Sequence, residues 1–179
     1  IPCEKCIVEG NTLFAEKNIL YLPGFYFNME KKQKGENAMK KGINSWSFPP
    51  MSLKDTFALA ADAGFEGVEL AVNASGELAL TSKDSEVLAV KNMAGEFGLS
   101  LYSLTCGLCW DYWLNDDDKA NRQKAKNNIV RQMETAKLLG ADTVLVVPGV
   151  VNADFIDPDK KVDYQTAYDR SLESLNELK

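Results

Sequence analysis

Two cysteines three residues apart, Cys106 and Cys109, open the stretch of this sequence richest in reactive groups. Leu101-Tyr-Ser-Leu-Thr-Cys-Gly-Leu-Cys-Trp-Asp-Tyr-Trp113 begins as an apolar strand pattern and changes at residues 105–107 into thiols, aromatic rings and a carboxylate. Three chemistries fit such a set. A Cys-x-x-Cys after a strand is a redox pair when its first thiol starts a helix, because the helix N-terminus stabilises the thiolate; residues 110–115 read as a loop, which weighs against it. Together with Cys3-x-x-Cys6 the pair superficially resembles a four-cysteine zinc site, but the usual gap between such pairs is about 15 to 20 residues and here it is about a hundred. In the third chemistry, a buried strand opening into stacking groups forms one wall of an active site, as in many α/β enzymes. Trp110, Tyr112 and Trp113 then either close over a ligand or pack as an ordinary loop. Glu69, in Gly-Val-Glu-Leu, offers a second carboxylate at a strand, to hydrogen-bond a ligand or to hold neighbouring groups.

Composition removes several alternatives. With 20 Lys and Arg against 26 Asp and Glu, the net charge is -6. The isoelectric point near 4.8 argues against nucleic acid, whose binding rests on clustered positive charge. The one basic cluster, Lys31, Lys32, Lys34, Lys40 and Lys41, is interrupted by Glu and Gly and reads as a solvated linker. Histidine is absent, so acid/base or metal chemistry must use carboxylate, Lys, Cys or Tyr, or lie outside these residues. No apolar run approaches the roughly 20 residues of a membrane span, so no membrane partner is expected. An apolar fraction of 45% over 179 residues suffices for one core, or for part of a larger domain.

The elements that must position these residues follow a rhythm. Residues 1–39 stand apart: their apolar patches at 19–22 and 25–27 do not repeat at a helix period, and they read as a poorly ordered leader outside the domain. From residue 40 on, Gly42-Ile-Asn-Ser-Trp-Ser-Phe48 alternates as a strand stopped by Pro49-Pro50. Ser52 with Asp55 caps a helix whose apolar face is Leu53, Phe57, Ala60 and Ala61. Strands are predicted again at 67–72, 99–105 and 143–149, the last an unbroken apolar run of the kind buried on both faces. Between them lie helices with inward faces Val87, Val90, Ala94 and Phe97, then Ala125, Ile129, Met133 and Ala136. A last helix, capped by Asp163, would turn Tyr168, Leu172, Leu175 and Leu178 inward. Gly64, Gly98 and Gly140 each fall where a helix closes with a left-handed residue. Strands alternating with helices through short joints predict an α/β fold of four consecutive βα units with parallel strands. Spacing leaves open whether these make a small open sheet or half of an eight-unit barrel. Neither G-x-G-x-x-G after a strand nor a P-loop occurs, which weakens the nucleotide-binding open sheets.

Five segments in order carry a resemblance: Gly42-Ile-Asn-Ser-Trp-Ser-Phe48, Ala63-Gly-Phe-Glu-Gly-Val-Glu-Leu70, Thr105-Cys-Gly107, Asp118-Lys-Ala-Asn-Arg122 and Ala136-Lys-Leu-Leu-Gly-Ala-Asp-Thr-Val144. Over residues 40–179 the chain resembles the N-terminal half of the sugar phosphate isomerase/epimerase family, the xylose isomerase-like TIM barrels that include ketose 3-epimerases and hexulose-phosphate isomerases. The resemblance implies a cytoplasmic sugar or sugar-phosphate isomerase or epimerase. In such enzymes a divalent metal (Mn, Mg or Co) grips neighbouring ketose oxygens while two glutamates move a proton through an enediolate. It further implies that the catalytic residues and the metal shell lie beyond Lys179, that these residues alone are inactive, and that the partner is a small ketose or sugar phosphate; a homo-oligomer is compatible with it. A lyase of the inosose dehydratase kind shares the same barrel, and a self-contained redox module remains the reading from a different class. On the family pattern the substrate-binding residues are Trp46 at the end of strand one, Glu69, Cys106 with Gly107 allowing close backbone approach, Trp113 in an aromatic flap, and Gly149 at the mouth. Asp118 and Arg122, one turn apart, are expected to serve structure.

Overall fold

The computed structural model describes residues 19–22, 25–28, 39–153 and 157–178, with backbone alone for 19–22, 25–28, 153 and 157–160. Four strands form one parallel sheet: β1 (Gly42–Asn44), β2 (Gly67–Val72), β3 (Ser100–Cys106) and β4 (Thr143–Val144), in the order β1-β2-β3-β4. The helices between and after them are α1 (Leu53–Asp62), α2 (Asp84–Glu96), α3 (Lys119–Leu139) and α4 (Tyr164–Asn176).

Strand order decides between the two architectures that the βα rhythm left open. In a doubly wound sheet the order reverses at a switch point and helices cover both faces. Here every crossover steps to the next strand in the same direction, and right-handed steps of that kind put every helix on one face. The core shows it: Phe57 and Ala60 of α1, Val87, Val90 and Ala94 of α2, and Ala136 and Leu139 of α3 all pack on the same side, against Val68, Leu70 and Leu104. This is the half-barrel arrangement, and the opposite face is the barrel's interior side.

The helix ends follow their caps. Ser52 Oγ accepts the amide of Asp55 at 3.1 Å, Asp118 Oδ1 that of Ala120 at 2.8 Å, and Asp163 Oδ2 that of Thr166 at 3.1 Å. Gly64, Gly98 and Gly140 have φ of 78°, 69° and 83°, the left-handed closures predicted for them.

Four expectations are corrected. The first strand stops at Asn44 rather than Phe48, because Asn44 Oδ1 captures the amide of Trp46 at 2.7 Å and turns Ser45–Ser47 into a 3-10 helix. The fourth pairs only through Thr143 and Val144, with Leu145 N adding a bond to Leu104 O at 2.7 Å. It is an edge strand covered on one face among the described residues, so Leu145 is 50% exposed. On α3 the buried residues are Ala125, Gln132, Thr135, Ala136 and Leu139, and Met133 faces outward. On α4 the buried residues are Ala167 and Ser174, while Tyr168 and Leu172 are exposed. The close approach of α4 explains this: Ser174 Oγ donates to Leu114 O at 2.7 Å, and a Cβ on Gly149 would sit 2.3 Å from Ser171 Oγ. Only small side chains fit between.

Within residues 1–39, Ile19–Leu22 pairs antiparallel with Phe25–Asn28; most of the segment set apart as a leader lies outside the described residues. A second antiparallel pair, Asn152–Ala153 with Asp157–Lys161, precedes α4. No described helix is long and apolar enough to cross a membrane.

Candidate functional site

The interior side of the sheet carries polar side chains in register. Asn44 stands beside Glu69, Glu69 beside Ser103, and Ser103 beside Thr143. Side chains on neighbouring strands at one level share a face, so these four form a row across the sheet. Glu69 is held at both oxygens: Asn44 Nδ2 donates to Oε2 at 2.6 Å and Ser103 Oγ to Oε1 at 3.0 Å. Charge-assisted bonds of this kind fix a carboxylate's orientation. Asn44 Oδ1 also accepts the backbone amide of Trp46, so one side-chain amide holds both Glu69 and the turn that carries Trp46, 50% exposed beyond the strand's C-terminal end. β2 runs on to Val72, which places Glu69 one level below the mouth rather than at the strand end.

The floor of this face is closed by a ring. A Cβ on Gly42 would lie 3.0 Å from Tyr102 Cδ2 and one on Gly67 2.3 Å from Cε2, so Tyr102 fills the space of two missing side chains. Its place follows from the register shift between Val68 and Glu69, which takes Tyr102 out of the ladder. One level above the row, Thr105 pairs with Ala71; its Oγ1 is wholly buried and has no hydrogen-bond partner. Such an atom costs about 1 to 3 kcal/mol unless something satisfies it.

Cys106 stands on the other side. Alternation along β3 puts Ser103 and Thr105 toward the interior and Leu104 and Cys106 toward the helices. The thiol borders a small, mostly apolar cavity, with about 20 Å³ of room, shared with Cys109, Ile129, Gln132, Leu145 and Val147. What Cys106 and Gly107 can offer a ligand at the mouth is therefore their backbone. Burial raises the Cys106 pKa above the ordinary thiol value, against the pull of the Leu108 and Cys109 amides, and Asp111 adds to the rise. Cys109 is pushed up to about 11, by burial first and then by the neighbouring Cys106, with a smaller contribution from Asp111. A redox pair of the thioredoxin kind needs a lowered pKa, and Cys106 instead precedes a four-residue 3-10 helix, Gly107–Trp110.

Trp113 is 3% exposed: its Nε1 donates to Trp110 O at 3.0 Å and its ring packs with Val150 and Val147. It supports the wall from within. Trp110 is partly exposed, and the Tyr112 ring lies under Lys124 Nζ, 5.0 Å from the centroid. Gly149 leaves room for Ser171 and for Asn115, whose Oδ1 would be 3.2 Å from its Cβ. The wholly buried Asn115 donates to Val150 O at 2.6 Å and accepts from Val150 N at 2.9 Å, stapling the loop after β3 to the loop after β4. Asp118 caps α3 and Arg122 Nη1 donates to Asp116 O at 2.8 Å, so both serve the loop structure.

Sequence reasoning missed Asn44, Ser103, Asn115 and Gln132. Gln132, buried on α3, donates to Leu104 O at 2.9 Å and Leu145 O at 3.2 Å, tying the helix to β3 and to the residue after β4. An amide within a helix pattern reads as a solvated residue, so periodicity gives no signal for it. Asn44 followed by a turn did carry one, the Asx signature.

The described residues do not fit a divalent-metal shell. No three His, Cys, Asp or Glu side chains converge among them, histidine is absent from the sequence, and Cys3 and Cys6 lie outside the described residues.

A parallel half-barrel with a polar inner row defines the class as βα-barrel. The family described as xylose isomerase-like TIM barrel matches residues 57–179, and the chain belongs to that family. No curated protein sequence matches it significantly. Among solved structures, a D-psicose 3-epimerase crystallised with D-fructose is similar at a TM-score of 0.62 and 22% identity, over 78% of this chain and 47% of that one. D-psicose 3-epimerase with D-tagatose from Clostridium cellulolyticum H10 gives 0.62 and 20%, over 78% and 47%. The 3-keto-D-glucoside 4-epimerase of E. coli gives 0.59 and 23%, over 79% and 51%. At these identities the likeness is one of fold, and the chain spans about half the length of these structures.

Proposed function

We propose that this chain supplies the N-terminal half, and with it the substrate-facing wall, of a sugar or sugar-phosphate isomerase or epimerase. The observation that carries the reading is the Asn44–Glu69–Ser103 row, a carboxylate held at both oxygens on the interior side of a half-barrel and linked through Asn44 to an exposed tryptophan. A sugar presents hydroxyls to polar groups and C-H faces to aromatic rings. Glu69 suits the first, and Trp46 suits the second. Gly107 and Gly149 supply backbone at the mouth, with Cys106 and Trp113 behind them as packing. Residues 40–179 are on this reading one partial barrel and residues 1–39 lie outside it. The whole protein is cytoplasmic, requires a divalent metal (Mn, Mg or Co) held by residues other than those described, and acts on a small ketose or its phosphate.

The test compares residues 1–179 with the chain continued by its downstream coding sequence. Each is assayed for conversion of free and phosphorylated ketoses by chromatography, after chelation and after readdition of each metal. The expected result is turnover by the continued chain that is lost on chelation, and none by residues 1–179. In the continued chain Glu69→Gln and Trp46→Ala are expected to raise KM about tenfold, the loss of roughly one hydrogen bond or stacking contact. A continued chain that binds no sugar, or metal-dependent turnover by residues 1–179 alone, overturns the proposal.

A further inference from the structure

Cys106 and Cys109 are both free, and their thiols border the same cavity under α3. Cys106 is the residue before the 3-10 helix Gly107–Trp110, and Cys109 is its third residue. In a 3-10 turn residues three apart are stacked one above the other, and the ends of a tight turn approach within about 7 Å, close to the Cα separations that a disulfide spans. The cavity holds about 20 Å³ of free space, about one water's worth. No third Cys, His, Asp or Glu joins them among the described residues, so the pair is not part of a metal cluster there. Nor does the proposed sugar site use their side chains.

We infer that Cys106 and Cys109 are a reversible modification site, closing to an intramolecular disulfide by exchange with a small-molecule disulfide. The step balances as two exchanges. Cys109, the more accessible thiol, attacks one sulfur of the small disulfide as its thiolate; the S–S bond breaks, and one small thiol leaves carrying the proton that Cys109 released. Cys106 then attacks the Cys109 sulfur of the mixed disulfide, and a second small thiol leaves with the Cys106 proton. Two electrons pass from the protein pair to the small disulfide. Burial lowers the thiolate fraction of both cysteines, so both exchanges are slow at neutral pH. Closure fixes the turn whose Trp110 carbonyl holds the Trp113 indole, and through Trp113 it bears on Val150 and Val147 of the next loop. This inference stands on the turn alone and is independent of the proposed sugar chemistry.

The test uses the full chain carrying Cys3→Ser and Cys6→Ser, equilibrated in glutathione buffers of stepped ratio, quenched with N-ethylmaleimide and weighed intact. The folded chain is expected to lose about 2 Da, the two thiol hydrogens, and to take no maleimide, with a tryptic peptide containing a 106–109 link. Closure is expected at a ratio at least tenfold more reducing than for the same chain in denaturant, with a change in tryptophan emission. Single variants Cys106→Ser and Cys109→Ser serve as controls, each expected to keep one alkylatable thiol or one glutathione adduct. Two maleimides on the folded chain at every ratio, a glutathione adduct on Cys109 that never resolves, or closure no more favourable folded than unfolded overturns the inference. Because the first measurement is made on the intact pair, a control that fails to fold does not spare it.

Discussion

Gly67 is a glycine because a ring occupies the place of its side chain. A Cβ there would meet Tyr102 Cε2 at 2.3 Å and Ser100 O at 2.6 Å, and the second contact is backbone, which no rotamer change relieves. Gly67→Ala is therefore expected to cost about 3 kcal/mol, the upper range for overpacking, and to lower Tm by roughly 6 to 12 °C for a chain of this size. Gly95→Ala in α2 is the control: nothing lies within 4 Å of its added Cβ, and removing a helical glycine stabilises by about 0.5 to 1 kcal/mol. Thermal unfolding by circular dichroism checks both, and equal effects would refute the Tyr102 packing. At this scale the sequence was legible where one residue type answers one backbone need. Gly64, Gly98 and Gly140 could be placed because only a left-handed residue closes a helix in that way. The side that Cys106 faces was not legible. Facing depends on where the strand ends and on the shift at Val68/Glu69, and neither leaves a mark in the period-2 pattern.

Two buried amides join elements here in addition to the apolar core. Asn115 exchanges both hydrogen bonds with the backbone of Val150, and Gln132 bridges β3 to the residue after β4. Asn115→Ala strands a buried N–H and a buried C=O at once, at about 1 to 3 kcal/mol each before relaxation, so a net loss of about 2 to 4 kcal/mol is expected. Asn115→Asp keeps the acceptor for Val150 N but loses the donor to Val150 O, and the same range applies to it. Hydrogen exchange adds a readout that global destabilisation does not mimic: the Val150 amide is expected to lose protection before the amides of β2 do. Equal loss at both would refute the staple. The fourth unit was the least legible for a related reason. Reading α4 by its apolar residues placed Tyr168 and Leu172 inward, whereas the packing distance set by Ser171, Ser174 and Gly149 selects small residues and turns the larger ones out. Periodicity finds a helix; it does not say which of two faces a close neighbour can tolerate.

For the whole molecule, the strand order is what turns a list of βα units into half a barrel, and it also sets the surface left uncovered. β1 and β4 each have one edge with no partner strand among the described residues. Leu145, the residue after β4, is 50% exposed, and on α4 Tyr164, Tyr168 and Leu172 form a helical stripe 68%, 52% and 46% exposed. Unpaired strand edges and contiguous apolar surface favour association in water. Residues 1–179 are accordingly expected to self-associate reversibly as concentration rises through the micromolar range, more strongly at high salt, since a net charge of -6 repels copies at low salt. Replacing Tyr168→Lys and Leu172→Glu together removes the centre of the stripe without touching Ala167 or Ser174, the buried side, so the fold is retained and the associated fraction falls severalfold. Sedimentation velocity over a hundredfold concentration range measures both. The order of strands bears on the result as well: in a doubly wound sheet the interior side would be covered by helices, and only the α4 stripe would remain to drive contact. If the double variant associates as strongly as the parent chain, the open interior side and the strand edges, rather than the stripe, hold the copies together. A parent chain that stays monomeric throughout would mean that neither surface is exposed in solution.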